Sequence, residues 1–173
     1  MKKTLAILLA VMMMLVCSGA LADTVKFMED SSEFDIEMAL PAGAAVSDQA
    51  TSPLVSYCLI TSEGLASVAI TIAPSDIYGS SSLKDLSAED VEALKAQAGE
   101  QYEDPEMTIE TTPSGNDYIF VNADEEGINA IFTLYLGYFV ELTQWHDDFS
   151  PITEADNAFL LELLHNIEFL PAA

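Results

Sequence analysis

The clearest pattern along the chain is an alternation of apolar and acidic residues. Phe34, Ile36 and Met38 are apolar, and an acid precedes each of them. Successive side chains of a strand point to opposite faces, so this segment predicts a strand with one buried and one wet face. The run ends at Leu40-Pro41, and the small and polar residues 42–53 are expected to form a loop.

Three pairs of strand-like segments follow, each joined by turn-forming residues, which predicts three hairpins. The third pair is the richest in β-branched and aromatic residues, and Ile131, Phe132 and Leu134 are apolar on both of its faces. A strand covered on both sides has this composition, so the third pair predicts the middle of the sheet. The pairs are residues 54–61 with 65–73, 107–112 with 117–121, and 128–136 with 138–145.

Two helices are predicted by their start signals and by apolar residues at three- and four-residue steps. Ser87 and Thr153 each stand three residues before an acid, an arrangement typical of a helix N-terminus. A narrow apolar stripe follows Ser87 through residues 91–102, and a broad apolar face follows Thr153 through residues 159–167. Residues 168–171 are expected either to add a short edge strand or to pack the end of the domain.

These elements predict one α+β domain over residues 33–171. We expect an antiparallel twisted sheet of about six to eight strands, packed against two or more helices. Residues 23–32 carry acids and hydroxyls with little periodicity, so they are expected to form a flexible leader.

The first 22 residues have the layout of a secretory signal peptide. Lys2 and Lys3 are followed by an apolar run over residues 5–16, and Ala20-Leu21-Ala22 supplies small residues before Asp23. The run is shorter than the ~20 residues that cross a bilayer. We therefore expect cleavage after Ala22, no stable membrane insertion afterwards, and a secreted or extracytoplasmic location in the bacterial cell envelope.

The balance of charge excludes one class of partner. The chain has 29 acids and five lysines, and cleavage would remove two lysines and no acid, leaving a formal charge of −26. Nucleic-acid binding needs a basic surface, so a nucleic-acid partner is not expected. Anionic membranes are disfavoured by the same sign of charge. The acids either keep an exported protein soluble or also collect divalent cations.

The two cysteines predict no internal disulfide. Cys17 lies inside the expected signal peptide, and Val16 before it argues against a lipid anchor, because lipoproteins place a small residue there. Cys58 lies in an apolar strand-like run, so we expect it to fill the core as a small hydrophobe. A reactive thiol is the alternative.

Two places carry residues that could do chemistry. His146 and Asp147 follow the single tryptophan at a strand end, and such a pair can ligate a metal or transfer protons, although a polar loop is the default interpretation. Glu141 falls within a strand. We expect it to mark where the sheet meets water; on a covered face it would have to be paired or protonated.

The other motif matches in the sequence are incomplete. Residues 122–127 match the start of a calcium loop, but the twelfth position, which needs an acid, is Thr133. Ser81-Ser82-Leu83-Lys84 matches S-x-x-K without its partner motifs. P-loop, dinucleotide and zinc patterns are missing from the sequence. We therefore assign no catalytic, cofactor-binding or metal-binding residue, expect no cofactor, and do not favour an enzyme.

Several segments resemble the PsbP-like family, which includes the DcrB-type exported proteins. They are the opening strand that ends in Pro41, the strand pair of residues 130–145 with Gly137-Tyr138-Phe139-Val140, and the closing segment of residues 160–169. The resemblance implies an α/β/α sandwich used for binding or assembly and not for catalysis. It carries over no functional residue.

The resulting hypothesis is an exported, acidic, non-enzymatic module that binds a protein or a small ligand. Two alternatives stay open: an exported hydrolase whose site assembles only in the fold, and a weak divalent-cation binder.

Overall fold

The computed structural model describes residues 23–27, 34–52, 54–75 and 82–171. The expected signal peptide, Cys17 and Ser81 lie outside these residues. Within them the chain forms ten strands and two α-helices, with short 3-10 turns at Leu83–Asp85 and Asp124–Glu126. The helices are α1 (Ala88–Gly99) and α2 (Glu154–His165). The strands are β1 (Thr24–Phe27), β2 (Phe34–Ala39), β3 (Ala44–Thr51), β4 (Ser56–Ser62), β5 (Ser67–Pro74), β6 (Glu106–Thr111), β7 (Asp117–Ala123), β8 (Ile128–Tyr135), β9 (Tyr138–Trp145) and β10 (Ile167–Pro171).

Two antiparallel sheets contain these strands. The larger has the order β3-β4-β5-β9-β8-β7-β6 and the smaller has the order β1-β2-β10. Strand β9 is therefore central, and it pairs with β8 in an unbroken register, from Ile128 opposite Trp145 to Tyr135 opposite Tyr138. The prediction that this hairpin forms the middle of the sheet is confirmed. Leu136 and Gly137 both have positive φ angles of 50° and 83°, as a two-residue hairpin turn requires.

The two faces of the larger sheet have different covers. On one face, core residues of β4, β5 and β9 pack with the smaller sheet and with α2. On the other face, α1 and the 3-10 turn at Leu83–Asp85 cover β7 and β8, where Leu94 and Ala98 meet Phe132 and Ile119. The expected class of antiparallel sheet packed with helices, α+β, is thus confirmed.

Two predicted irregular segments are strands instead. Residues 24–27, expected to be a flexible leader, form β1, because Val25 and Phe27 alternate with exposed residues and are buried against the core. The rest of that leader, residues 28–32, lies outside the described residues. The predicted loop of residues 42–53 contains β3. Its side chains are almost all exposed, so this edge strand has no buried face to produce an apolar alternation.

Both predicted helix starts are confirmed. The Ser87 hydroxyl accepts a hydrogen bond from the Asp90 amide, and Thr153 forms a complete capping box with Asp156. Helix α1 ends at Gly99, before the predicted stripe reaches Tyr102. Neither described helix has the length and apolar character that crossing a membrane requires.

We predict that two glycines with positive φ differ sharply in their tolerance of alanine. A Cβ at Gly127 would lie 2.7 Å from the Phe149 carbonyl oxygen, whereas a Cβ at Gly64 would meet nothing within 4 Å. Gly64→Ala should lower the free energy of unfolding by about 1 kcal/mol through backbone strain alone. Gly127→Ala should lower it by about 3 kcal/mol, because overpacking adds to that strain. Urea unfolding measures both; equal losses would contradict the close approach at Gly127.

Candidate functional site

Helix α2 leads directly into β10 and so determines where that strand lies. Asn166 is the only residue between them, and its side-chain amide donates to the Ala39 carbonyl at 2.9 Å, at the end of β2. Strand β10 pairs with β2 along one edge, and no described strand pairs along its other edge. Thr133 and Tyr135 of β8 lie across a cavity from β10.

A cavity of about 330 Å³ follows this outer edge, and we call it the β10 groove. Four successive residues of β10, 167–170, line it. Successive side chains of a strand point to opposite faces, so four in a row can border one cavity only if it runs along the backbone edge. The facing wall consists of the β6–β7 turn, through Thr112, Ser114 and Asn116, and of Thr133 and Tyr135 on β8.

Aromatic side chains fix β10 to the central hairpin at one side of the groove. The Phe169 ring packs against Tyr135, with centroids 4.5 Å apart, and against Tyr138, at 5.6 Å. The rings are tilted by 48° and 50°, which is a favourable aromatic geometry. The groove therefore has a rigid apolar side.

On the opposite side of the groove, hydrogen bonds within the β6–β7 turn hold its hydroxyl groups in place. The Thr112 hydroxyl lies 2.8 Å from that of Ser114 and accepts from the Asn116 amide at 3.0 Å. The Lys84 ammonium donates to the Gly115 carbonyl and lies 3.7 Å from the Asp117 carboxylate. Lys84 thus has partners within the protein, and the turn presents hydroxyls from a fixed backbone.

The groove contains Ser114, His165 and Glu168, the residue types of a hydrolytic triad. Among the described residues no hydrogen bond joins any two of them, and the Ser114 hydroxyl is instead paired with Thr112. Nucleophilic catalysis needs a base within hydrogen-bond reach of the nucleophile. These three side chains are therefore not coupled for nucleophilic catalysis in this structure.

A second cavity, of about 270 Å³, lies between α1 and the sheet. Its wall includes the apolar side chains of Leu94, Ala98, Phe132 and Phe139, together with Gln97 of α1 and Gln101 just past the end of that helix. It offers a mainly apolar space, and Ser75 supplies a hydroxyl at its wall.

His146 proves to be part of a buried clamp on α2, a contact that no sequence spacing predicted. The Asp156 carboxylate is 1% exposed and accepts from the Ala66 amide at 2.7 Å, from Thr153 and from His146 Nε2 at 3.1 Å. Burial raises the pKa of Asp156, but these hydrogen bonds outweigh it and hold the pKa below its ordinary value. Asp156 thereby ties α2 to the β4–β5 turn and to the end of β9.

Beside this clamp, three amide side chains with buried carbonyl oxygens form a row across β7, β8 and β9. Asn122 stands opposite Asn129, and Asn129 opposite Gln144. Gln144 donates to the Asp156 carbonyl and Asn129 to the Asn157 side chain, whereas the three side-chain carbonyl oxygens have no donor among the described residues. Buried oxygens of this kind commonly bind ordered water. The row marks the polar end of an otherwise apolar core.

The other candidates from the sequence lie apart from the groove. Asp147 is exposed, and Cys58 is fully buried, where burial raises the pKa of its thiol to about 11. Cys58 thus packs in the hydrophobic core, as expected. Glu141 is half-buried: burial raises the pKa of its carboxyl, and a hydrogen bond from Thr143 partly offsets this.

The acidic residues that match the start of a calcium loop form a 3-10 turn at Asp124–Glu126, and the Glu126 carboxylate accepts a hydrogen bond from the Glu103 amide. Within the described residues no group of three His, Cys, Asp or Glu side chains is placed to hold a metal ion.

No protein-family model matches this chain, and no curated protein matches it either.

We predict that Asp156→Asn destabilises the protein at neutral pH and much less in acid. The native pKa of Asp156 is lowered, so its stabilisation is present above the unfolded value near 3.8 and is lost as pH falls through the native pKa. At pH 7 the substitution should lower the free energy of unfolding by about 3 kcal/mol, because a neutral amide replaces a buried, charged hydrogen-bond acceptor.

Urea unfolding of both proteins at pH 7 and at progressively lower pH measures this difference. The control is Asp147→Asn, which changes an exposed acid beside His146 and should leave stability nearly unchanged. A difference between wild type and Asp156→Asn that stays constant down to the acid limit would contradict the proposed clamp.

Proposed function

We propose that this protein is an exported, non-enzymatic binding module of a bacterial envelope or secreted fraction, and that the β10 groove is its binding site. The observation that carries the proposal is the groove itself. Its cavity of about 330 Å³ combines a strand edge, an aromatic side and a row of hydroxyls. Binding sites typically combine apolar walls with a few placed polar groups in this way.

Export is supported by the sequence of residues 1–22 and by the acidity of the remainder. A basic start, an apolar run and small residues before Asp23 form the pattern of a cleaved signal. Cys58 would be the single thiol left after cleavage, and it is buried. It could form no internal disulfide, so the protein is compatible with an oxidising compartment.

The PsbP-like interpretation remains part of this proposal. The larger sheet carries α1 on one face and α2 with the smaller sheet on the other, an arrangement compatible with an α/β/α sandwich. The PsbP-like family is used for binding or assembly. Such a role would agree with a groove in which no hydrogen bond joins Ser114, His165 and Glu168 among the described residues.

One observation favours a second candidate, an exported hydrolase. Ser114, His165 and Glu168 line the same cavity, and a ligand could bring them together. The other alternative, weak binding of divalent cations, rests on the 29 acids alone.

Removal of the signal is tested by sequencing the amino terminus of protein recovered outside the cytoplasm. We expect it to begin at Asp23, because Ala20 and Ala22 place small residues where a signal peptidase cleaves. A terminus at Met1, or a lipid on Cys17, would contradict the proposed export route.

Binding in the groove is tested by nuclear magnetic resonance of the ¹⁵N-labelled protein with a mixture of neutral, cationic and anionic small molecules. We expect shifted amides to cluster in residues 112–116, 133–135 and 167–170. Ser114→Trp should fill the groove with a large side chain. The affinity obtained from these shifts should then fall at least tenfold, because the pocket is already occupied. Ala158→Trp, at an exposed position of α2, should leave them unchanged.

The hydrolase alternative is tested with nitrophenyl esters, phosphates and glycosides. A binding module should release nitrophenol no faster than its His165→Ala variant. Turnover that depends on His165 would overturn the non-enzymatic proposal, and shifted amides confined to other regions would overturn the assignment of the groove.

A further inference from the structure

We propose that the outer edge of β6 pairs with the β6 edge of a second copy of this chain, so that two larger sheets join across a two-fold axis at Ile109. Strand β6 ends the larger sheet and pairs only with β7 among the described strands. Its side chains are exposed, except for the partly buried Met107. An exposed strand edge of this kind is a template for another strand.

Every second residue of β6 turns its backbone groups away from β7. The Thr112 amide donates to the Asn116 carbonyl at 2.8 Å, and these two residues continue the unbroken register of β6 with β7. Bonded and non-bonded pairs alternate along an antiparallel ladder, so the backbone groups of Met107, Ile109 and Thr111 point outward. Among the described residues no hydrogen bond reaches these outward groups.

The other outer strands present less open edges. Strand β3 has a bulge, and its Gln49 side chain donates to the Lys26 carbonyl of β1 across a cavity. Bulges and covering contacts of this kind protect strand edges. On β10 the pairing with β2 leaves the outward groups to Ile167 and Phe169, and Phe169 already has a partner. Strand β6 is therefore the most open edge of the described sheets.

The positions of the acids on β6 fit pairing with a second copy about Ile109. In a two-fold antiparallel pair, the residue at the axis stands opposite itself, and the residues on either side of it stand opposite each other. With Ile109 at the axis, Glu110 stands opposite Thr108 of the second copy, and Glu106 stands opposite Thr112. Each carboxylate thus meets a hydroxyl, and no acid stands directly opposite another acid.

Neighbouring axes bring acids together. An axis at Thr108 would place Glu106 opposite Glu110 of the second copy, and an axis at Glu110 would place the two Glu110 side chains opposite each other. Like charges directly opposite each other destabilise a strand pair. The two acids of β6 therefore select the Ile109 axis against its neighbours.

Prolines at both ends of β6 favour the same axis. Pro105 and Pro113 stand four residues before and four residues after Ile109. Proline has no backbone N–H, so it cannot exchange hydrogen bonds with an opposing residue. With the axis at Ile109 the prolines stand opposite each other outside the pairing, and Met107 pairs with Thr111 of the second copy. An axis shifted by one residue would place Thr111 or Met107 opposite a proline.

Ile109 supplies an apolar contact at the axis. Its side chain is 46% exposed, although its neighbour on β7, Ile119, is fully buried. Across the axis the two Ile109 side chains would stand side by side, and pairs of β-branched side chains stabilise neighbouring strands. A single strand pair buries little surface, so we expect a weak and reversible dimer.

Negative charge opposes this dimer, which gives it a characteristic dependence on salt. Each chain has a formal charge of −24, and Glu110 is held by a hydrogen bond from Tyr118 of its own chain at 2.7 Å. Across the axis the two Glu110 would stand diagonally, about 7–8 Å apart. Salt screens repulsion between exposed charges, so the dimer should become stronger as salt rises.

Sedimentation equilibrium at up to millimolar protein, in low and high salt, tests the pairing. Thr108→Lys should tighten the dimer about tenfold, because the new ammonium stands opposite Glu110 and two such pairs form across the axis. The matched control is Thr51→Lys, which makes the same change of charge at an exposed position of β3. It should change the dissociation constant by less than about twofold.

Cysteine cross-linking tests the position of the axis. Opposing Cα atoms in a bonded antiparallel pair lie about 5.5 Å apart, a separation that a disulfide can span. Ile109→Cys should therefore form a linked dimer on mild oxidation, seen by non-reducing electrophoresis. Thr111→Cys should form none, because the two copies of residue 111 would lie roughly 13 Å apart along the strands. Cys58 is buried in both variants.

Four results would overturn the inference. A protein that stays monomeric at millimolar concentration in high salt would leave the β6 edge to a different partner. Equal tightening by Thr51→Lys would mean that lower net charge alone drives association. Weakening by Thr108→Lys, or cross-linking of Thr111→Cys as efficient as that of Ile109→Cys, would exclude an axis at Ile109.

Discussion

The fold depends on one helix, α2, being held at both of its ends. At its start, Asp156 accepts hydrogen bonds from the β4–β5 turn, from the helix cap and from His146 at the end of β9. Just past its end, Asn166 donates to the end of β2. The first set belongs to the larger sheet and the second to the smaller sheet, so α2 sets the position of one sheet on the other. Because β10 begins immediately after Asn166, the same contacts set the width of the groove.

A groove forms here because a three-stranded sheet cannot cover a seven-stranded one. The smaller sheet and α2 bury the apolar side chains of β4, β5 and β9. The cover ends at β10, beside Thr133 and the β6–β7 turn, whose hydroxyl groups are hydrogen-bonded within the protein. The edge of the cover and this turn together line the proposed binding surface.

The sequence predicted the elements whose signals are local. The caps at Ser87 and Thr153, the hairpin at Leu136-Gly137 and the central pair β8 and β9 all follow from neighbouring residues. Strand β3 could not be predicted, because an exposed edge strand of small polar residues has no alternation, and β1 was missed because only Val25 and Phe27 carry its pattern. The pair of His146 and Asp156 joins the end of a strand to the start of a helix through the fold alone. The groove could not be predicted, because it forms only when the β6–β7 turn and the edge strand β10 meet in the fold, and the sequence indicates each of them separately.

Hydrogen exchange of the β10 amides, in the wild type and in Asn166→Ala, tests the central claim most directly. Asn166 ties the end of α2 to the end of β2, so its loss should speed exchange of the amides that pair with β2, within residues 167–170. Exchange at the exposed edge β6 should stay the same. Unchanged exchange at β10, or equal acceleration at both edges, would contradict the account.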